Sequence, residues 1–356
     1  MRNIISLIRK FSYVFYLVIS VAILLEVIFR FLPTSDSLLL KPVNASNPYL
    51  RFEENRSVTR QIGFDFTHVN VKRINNYGFA SKRDFKPNED GRNKVVAIIG
   101  DSHVEAQQVS DEDTFHAIID ASFADIDVYA LGVSGSPLSQ YIAYKNYVKN
   151  SFSPDLYVFL IVFNDFDESW YEFKRAPGFH YFSNSGALYR VDYSPSKIKK
   201  LARKSAFIRY LYLDLKLTVQ LGRFFQLQNN ADKAKLKSKE SIEAKGKKAI
   251  NLFVEEIRDL AVERPVIIVL DGDRSSIYGS QKGRDLNIIT NRWSQYLFEK
   301  SQSIPNLFVL DLHPVFQNDW DENKKKFDFE YDYHWNERGH SVAGRALTDK
   351  IKALKF

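Results

Sequence analysis

Three groups of side chains, far apart in the chain, have the types needed for acyl transfer at a serine. The first is Gly100-Asp101-Ser102-His103, directly after the apolar run Val95-Val96-Ala97-Ile98-Ile99. A β-branched run that stops at glycine before a helix-compatible segment reads as a buried parallel strand turning into a helix. A serine at that turn exposes its hydroxyl at the carboxyl end of a strand, beside backbone N–H groups that can receive a developing oxyanion. The second group supplies further donors. Residues 126–131 form another strand-like run that ends in Gly132-Val133-Ser134-Gly135, and residues 156–163 form a third that ends in Asn164-Asp165. The third group is Asp332-Tyr333-His334-Trp335-Asn336, which precedes Gly339-His340 and an apolar periodicity at Val342, Ala343, Ala346, Leu347 and Ile351.

Each residue type has a distinct task. Ser102 would attack an ester carbonyl, and His334 would accept its proton and return it to the leaving alcohol. Asp332 would fix the imidazole tautomer and stabilise its charged form. The backbone N–H groups of Ser102 and Gly135 and the side-chain amide of Asn164 would form the oxyanion hole. Each such donor is worth about 2.7–4 kcal/mol of transition-state stabilisation.

The order Gly-Asp-Ser, Gly, Asn-Asp, Asp-x-His resembles the SGNH/GDSL hydrolase superfamily over roughly residues 94–350. Val109-Ser110-Asp111-Glu112-Asp113-Thr114-Phe115 and His334-Trp335-Asn336 resemble membrane-anchored bacterial members. The resemblance implies a three-layer α/β/α sandwich, flavodoxin-like, and an ester hydrolase. Asp332 lies two residues before His334, whereas the commonest spacing in the superfamily is three, so Asp328 stands as an alternative orienting acid. An Asp-x-His form resembles envelope-polysaccharide members.

Other polar residues near these motifs read as supports. Asp101 and Asp165 are expected to brace their loops through backbone N–H groups. His103 should point away from Ser102, towards a supporting or surface position, and His340 should cap or pack the last helix. His116, His180 and His313 lack partners at metal-ligand spacing, and the chain has no cysteine, so no metal site and no cofactor are expected. The absence of cysteine also excludes disulfides and thiol chemistry.

Parallel strands bring these loops together, because the carboxyl ends of neighbouring strands open on one crevice. Runs at 266–270 and 307–312 supply two more strands, with helices near 242–263 and 286–302. An α/β sandwich of about five parallel strands follows. It is assigned to residues 93–356, with an insertion at about 167–248.

Ahead of it lie two smaller parts. From Phe11 to Leu32 the chain is almost wholly apolar and would span about 33 Å at about 1.5 Å per residue, the thickness of a bilayer core. Only Glu26 and Arg30 interrupt it, one turn apart. Arg2, Arg9 and Lys10 precede the span, so residues 1–33 read as a signal-anchor with the N-terminus in the cytoplasm. The catalytic part would then lie on the periplasmic side of a bacterial inner membrane. Residues 34–92 read as a small β extension, with strand-like alternation from Phe64 to Val71 and a turn at Asn75-Asn76-Tyr77-Gly78-Phe79.

The insertion carries two expectations about partners. Its aromatic cluster, led by Trp170 and Tyr171, reads either as a sugar- or acyl-binding wall or as the core of a lid. From Lys197 to Lys248 there are fifteen Lys/Arg against four Asp/Glu, concentrated enough to meet anionic lipid or an anionic polysaccharide. Its first half interleaves apolar and basic residues as an amphipathic helix pair, and residues 231–248 read as a solvated charged helix. Nucleic acid is not expected outside the membrane. The leading function is removal of O-acyl groups, acetyl foremost, from an extracytoplasmic glycan. The alternatives are an O-acyltransferase using the same residues, and an inactive glycan-binding module.

Overall fold

The computed structural model of the protein describes residues 2–63, 65–87, 93–217, 239–279, 284–330 and 332–356. Its first helix, α1 (Arg2–Arg30), carries a segment, Arg9–Arg30, with mean hydropathy 2.3 and none of it buried. The length and composition suffice to cross a membrane. Glu26 and Arg30 pair at 2.8 Å across one turn.

The extension forms an antiparallel hairpin, β1 (Arg56–Ile62) and β2 (His68–Ile74). Of the expected strand from Phe64 to Val71, residue 64 lies outside the described residues, residues 65–67 belong to the hairpin turn, and the strand begins at His68. Gly63 and Phe66 adopt positive φ, and Asp65 accepts hydrogen bonds from the Thr67 backbone and hydroxyl. Such a local Asp–backbone bond competes with strand pairing. The turn at 75–79 is closed by the Asn75 side chain, which accepts from the N–H groups of Tyr77 and Phe79. Lys72 of β2 is buried against Asp111 at 2.8 Å, and Arg83 pairs with Asp120 and Asp127. The extension is therefore fastened to the larger domain by ion pairs.

Five parallel strands make the central sheet. They are β3 (Lys94–Gly100), β4 (Ile126–Gly132), β5 (Leu156–Ile161), β8 (Val266–Leu270) and β9 (Leu307–Asp311), in the spatial order β4-β3-β5-β8-β9. Side chains alternate between faces, and both faces are covered, which is why the strands are apolar throughout. Val95, Ala97 and Ile99 point into one core with α4 (Leu138–Phe152), α8 (Lys239–Glu263) and α10 (Arg284–Ser301). Val96 and Ile98 point into the other with α3 (Phe115–Ala121), α11 (Leu312–Asn323) and α12 (Glu337–Leu354). The result is a three-layer α/β/α sandwich.

The insertion contains α5 (Tyr171–Lys174), the hairpin β6 (His180–Phe182) with β7 (Leu188–Arg190), α6 (Lys197–Ala202), α7 (Ala206–Arg209) and a π-helical turn, Tyr210–Asp214. Of the expected charged helix at 231–248, residues 231–238 lie outside the described residues. The remainder is the start of α8. Where the insertion meets α1, Glu26 accepts hydrogen bonds from the Ser205 hydroxyl and the N–H groups of Ala206 and Phe207. A carboxylate on those first-turn donors satisfies groups that a helix leaves unpaired. Phe29 packs against Phe207 and Tyr210, with ring centroids 5.3 and 4.5 Å apart.

Candidate functional site

The turn that carries Ser102 begins where β3 ends. Ser102 opens the four-residue helix α2 (Ser102–Glu105), and the buried Asp101 caps it by accepting from the His103 backbone N–H at 3.0 Å. The Ser102 hydroxyl donates to the other carboxylate oxygen of Asp101 at 3.0 Å. Burial alone would raise the Asp101 pKa. Its bonds to His103 and the nearby imidazole charges outweigh that and hold the carboxyl below its usual range.

The glycine that ends the second strand of the central sheet makes room for this turn. Gly132 ends β4 directly opposite Gly100 of β3. A Cβ there would lie 2.4 Å from the Glu105 backbone nitrogen and 2.8 Å from the Asp101 carbonyl oxygen. Neither backbone atom can yield without moving the serine. Gly132→Ala is expected to destabilise the fold by about 1–3 kcal/mol and to lower turnover more than stability alone explains. Denaturant unfolding and kcat of the variant check this; normal values for both would show that the turn relaxes freely.

The expected oxyanion donors sit at the ends of the two strands flanking β3. Gly135 follows β4 with φ +76°, a left-handed conformation that suits glycine. A Cβ on it would also stand 3.0 Å from the Lys174 ammonium. Asn164 follows β5, and its amide donates to Glu168 at 3.3 Å, while Glu168 is paired with Lys174. Below it, the Asp165 carboxylate accepts from the Val162 N–H and the Tyr141 hydroxyl, both at 2.8 Å. Burial, reinforced by the charge of Asp101, pushes the Asp165 carboxyl well above the carboxylate range.

The third group is fastened to the same edge of the sheet. One Asp332 oxygen accepts from the His334 backbone N–H at 3.0 Å and contacts Nδ1 of its ring. The other oxygen lies 3.7 Å from the Lys216 ammonium. Asp328 instead accepts the Tyr278 hydroxyl at 2.6 Å, and its contact is with that ring. Burial lowers the pKa of His334, but the hydrogen bond and charge of Asp332, with Asp101 behind, outweigh it and raise the value above 6.5. The same pairing, against burial, holds the Asp332 carboxyl far below its usual range.

Two residues that no sequence motif singled out hold this loop. Asp271, just past β8, accepts the Trp335 indole N–H at 3.1 Å and is gripped by both oxygens at 2.7 Å from Arg274. Arg274 also donates to the Tyr333 carbonyl at 2.6 Å. Their visible signal was Asp271-Gly272-Asp273 at the carboxyl end of a strand, the edge where the other motifs fall.

The expected sugar-facing position of Trp170 needs correction, whereas His103 takes the supporting one of the two positions expected for it and is buried. Its ring centroid is 5.1 Å from that of His334 and 4.9 Å from Trp335, and its nitrogens lie 3.6 Å from Asp101 and 3.9 Å from Asp271. Trp170 is 2% exposed, and its indole N–H donates to the Lys245 carbonyl at 3.0 Å. Lys245 covers its face at 4.1 Å, so no open face is left for a sugar. Tyr171 is exposed and packs edge-on against Tyr181 at 5.3 Å. His340 packs as expected, its Nδ1 accepting the Phe115 N–H at 3.3 Å.

The family model described as GDSL-like Lipase/Acylhydrolase matches residues 96–347. No curated protein matches the chain in sequence. Among solved structures, the chain is similar to a lipolytic G-D-S-L family protein from Veillonella parvula, with 14% identity, 72% of this chain and 96% of that one covered, and TM-score 0.38. It is similar to a catalytic mutant of Axe2, an acetylxylan esterase from Geobacillus stearothermophilus, with 15% identity, coverage of 73% and 95%, and TM-score 0.38. A carbohydrate esterase family 2 enzyme from Corynascus shows 14% identity, coverage of 77% and 70%, and TM-score 0.40.

Proposed function

The chain belongs to the GDSL-like lipase/acylhydrolase family, and we propose that it removes O-acyl groups, acetyl foremost, from an extracytoplasmic glycan through an acyl-Ser102 intermediate. The observation that carries this reading is the Asp332–His334 pair, whose imidazole stands beside the Asp101-Ser102-His103 turn. In the first step the Ser102 hydroxyl leaves Asp101 and gives its proton to Nε2 of His334 as Oγ bonds the ester carbon. The carbonyl oxygen, now negative, takes hydrogen bonds from the Ser102 and Gly135 N–H groups and the Asn164 amide. Collapse expels the alcohol with the proton from His334. Water then attacks the acyl-serine, with His334 again taking and returning a proton.

The glycan assignment is supported by the likeness of the Asp332-x-His334 form to envelope-polysaccharide members and by the exposed ring of Tyr171, which offers a stacking face. The apolar surface of α1 and the Arg2, Arg9 and Lys10 flank support an anchor with the catalytic domain outside the cytoplasm. The test uses the full chain in detergent, first with an acetyl-ester chromogen, then with an acetyl donor and a glycan acceptor. Release of acetate without transfer is the expected result. Acetyl transfer to the glycan would make the protein an O-acyltransferase, and inactivity in both assays would overturn catalysis at Ser102.

A further inference from the structure

A half-open concavity with basic side chains and apolar wall lies outside the Ser102 site. It has a volume of about 380 Å³ and is enclosed by the β extension on one side and α6–α7 on the other. Five cations line it: Arg56, Lys200, Arg203, Lys204 and Arg209. The two acids in its wall are already engaged. Asp36 accepts the Thr59 N–H and stands 3.5 Å from Arg209, and Glu53 pairs with Arg56 at 3.4 Å. Among the described residues, Lys200, Arg203 and Lys204 have no side-chain hydrogen bond or ion pair. Three cations therefore face one cavity without a counter-charge, an arrangement that attracts an anion and repels itself when empty.

Its surroundings specify the kind of anion. Leu39 and Leu40 supply apolar wall. On α6, Ile198 and Leu201 are 82% and 70% exposed beside the lysines. An apolar and basic helix of that kind suits the boundary between headgroups and acyl chains. The cavity is also tied to the end of α1. Arg209 donates to the Ser35 carbonyl at 3.0 Å, and Glu26 receives the hydroxyl and N–H groups that begin α7. If α1 spans the bilayer, as read above, the cavity opens at the level of the lipid phosphates.

We propose that this cavity binds the phosphate-bearing headgroup of an anionic membrane lipid. Its acyl chains would lie along Ile198 and Leu201, and its phosphate would accept hydrogen bonds from Lys200, Arg203 and Lys204 and offset part of their charge. The site is separate from Ser102 and does not depend on the esterase reading.

The test measures binding of dihexanoyl-phosphatidylglycerol to the full chain in neutral detergent, against dihexanoyl-phosphatidylcholine, glycerol 3-phosphate and a polygalacturonate oligomer. The phosphatidylglycerol is expected to bind at least about tenfold more tightly than each of the others, and to weaken between about 0.05 and 0.5 M salt. The combined variant Lys200→Gln, Arg203→Gln, Lys204→Gln should weaken it at least about tenfold. Equal binding of glycerol 3-phosphate would reduce the cavity to a site for soluble phosphate. Preference for the oligomer would make it a polysaccharide site. Equal binding of phosphatidylcholine, or unchanged affinity in the variant, would also overturn the proposal. Should the triple variant misfold, Lys204→Gln alone and the salt titration of the parent carry the same decision. Hydrolysis of an acetyl-ester chromogen, read in parallel, is expected to be equal in parent and variant. An inactive parent that still selects phosphatidylglycerol overturns the esterase reading alone.

Discussion

Ser102→Ala is expected to lower kcat by on the order of 10⁶ while leaving the unfolding midpoint close to that of the parent. The hydroxyl makes one hydrogen bond, to Asp101, whose carboxylate keeps the His103 N–H as a partner when it is lost. No packed apolar surface disappears, because the turn is held by Asp101 and by the contact with Gly132 rather than by the serine side chain. The residual rate should be that of a site which still binds ester and still presents oxyanion donors. Steady-state kinetics with an acetyl-ester chromogen and a thermal melt check both halves. A stable variant with appreciable turnover would place the nucleophile elsewhere.

Asp332→Asn should lower kcat by roughly 10³–10⁴, less than loss of the serine, because the imidazole stays in place with the wrong tautomer. Asp328→Asn should change little, since that carboxylate is spent on Tyr278. The reverse ranking would assign the acid to Asp328. The pH profile carries the same information. His334 works as a base only when neutral, and Asp332 raises its pKa above 6.5. Activity of the parent should therefore rise with pH through a midpoint above 6.5, and Asp332→Asn should move that midpoint down. Stability runs the other way. A raised folded pKa means that the contribution of the pair is complete below the ordinary histidine value and fades as pH rises through the folded one. The protein is thus expected to gain activity over the pH range in which this pair stops stabilising it. An acid limb unmoved by Asp332→Asn would separate the two residues.

The sheet and the edge where the candidate residues gather were readable in the sequence because both depend on local signals. Each strand is a short apolar run, and each run ends in a residue type that chemistry or a turn requires: Gly100, Gly132, Asn164. What was not readable depends on contacts across long separations. Trp170 has the same composition-level signature as a sugar platform, and only the arrival of Lys245 from seventy-five residues away closes its face. Arg274 and Asp271 look like ordinary turn residues until Tyr333 and Trp335 are brought to them. Local reasoning left two positions open for His103, and the ring of Trp335 from the other end of the chain packs on it in the buried one. The later start of that strand, at His68, had a different cause. Period-two alternation continued through a turn that Gly63 and Asp65 impose.

The junction between α1 and the body of the protein has a kinetic consequence. Only residues 31–34 separate the helix from Ser35, whose N–H donates to Asp214 and whose hydroxyl accepts from Gln61. Four residues reach at most about 14 Å when extended, and Glu26 already grips the start of α7. If α1 stands in a bilayer, as proposed above, the cleft beside Ser102 has no leash on which to explore the space above it. Its height is set by the helix. Encounter then becomes a two-dimensional search, in which turnover follows the surface density of acylated substrate and the lateral mobility of the enzyme, and raising the bulk concentration of a glycan that stays away from the membrane leaves the rate unchanged.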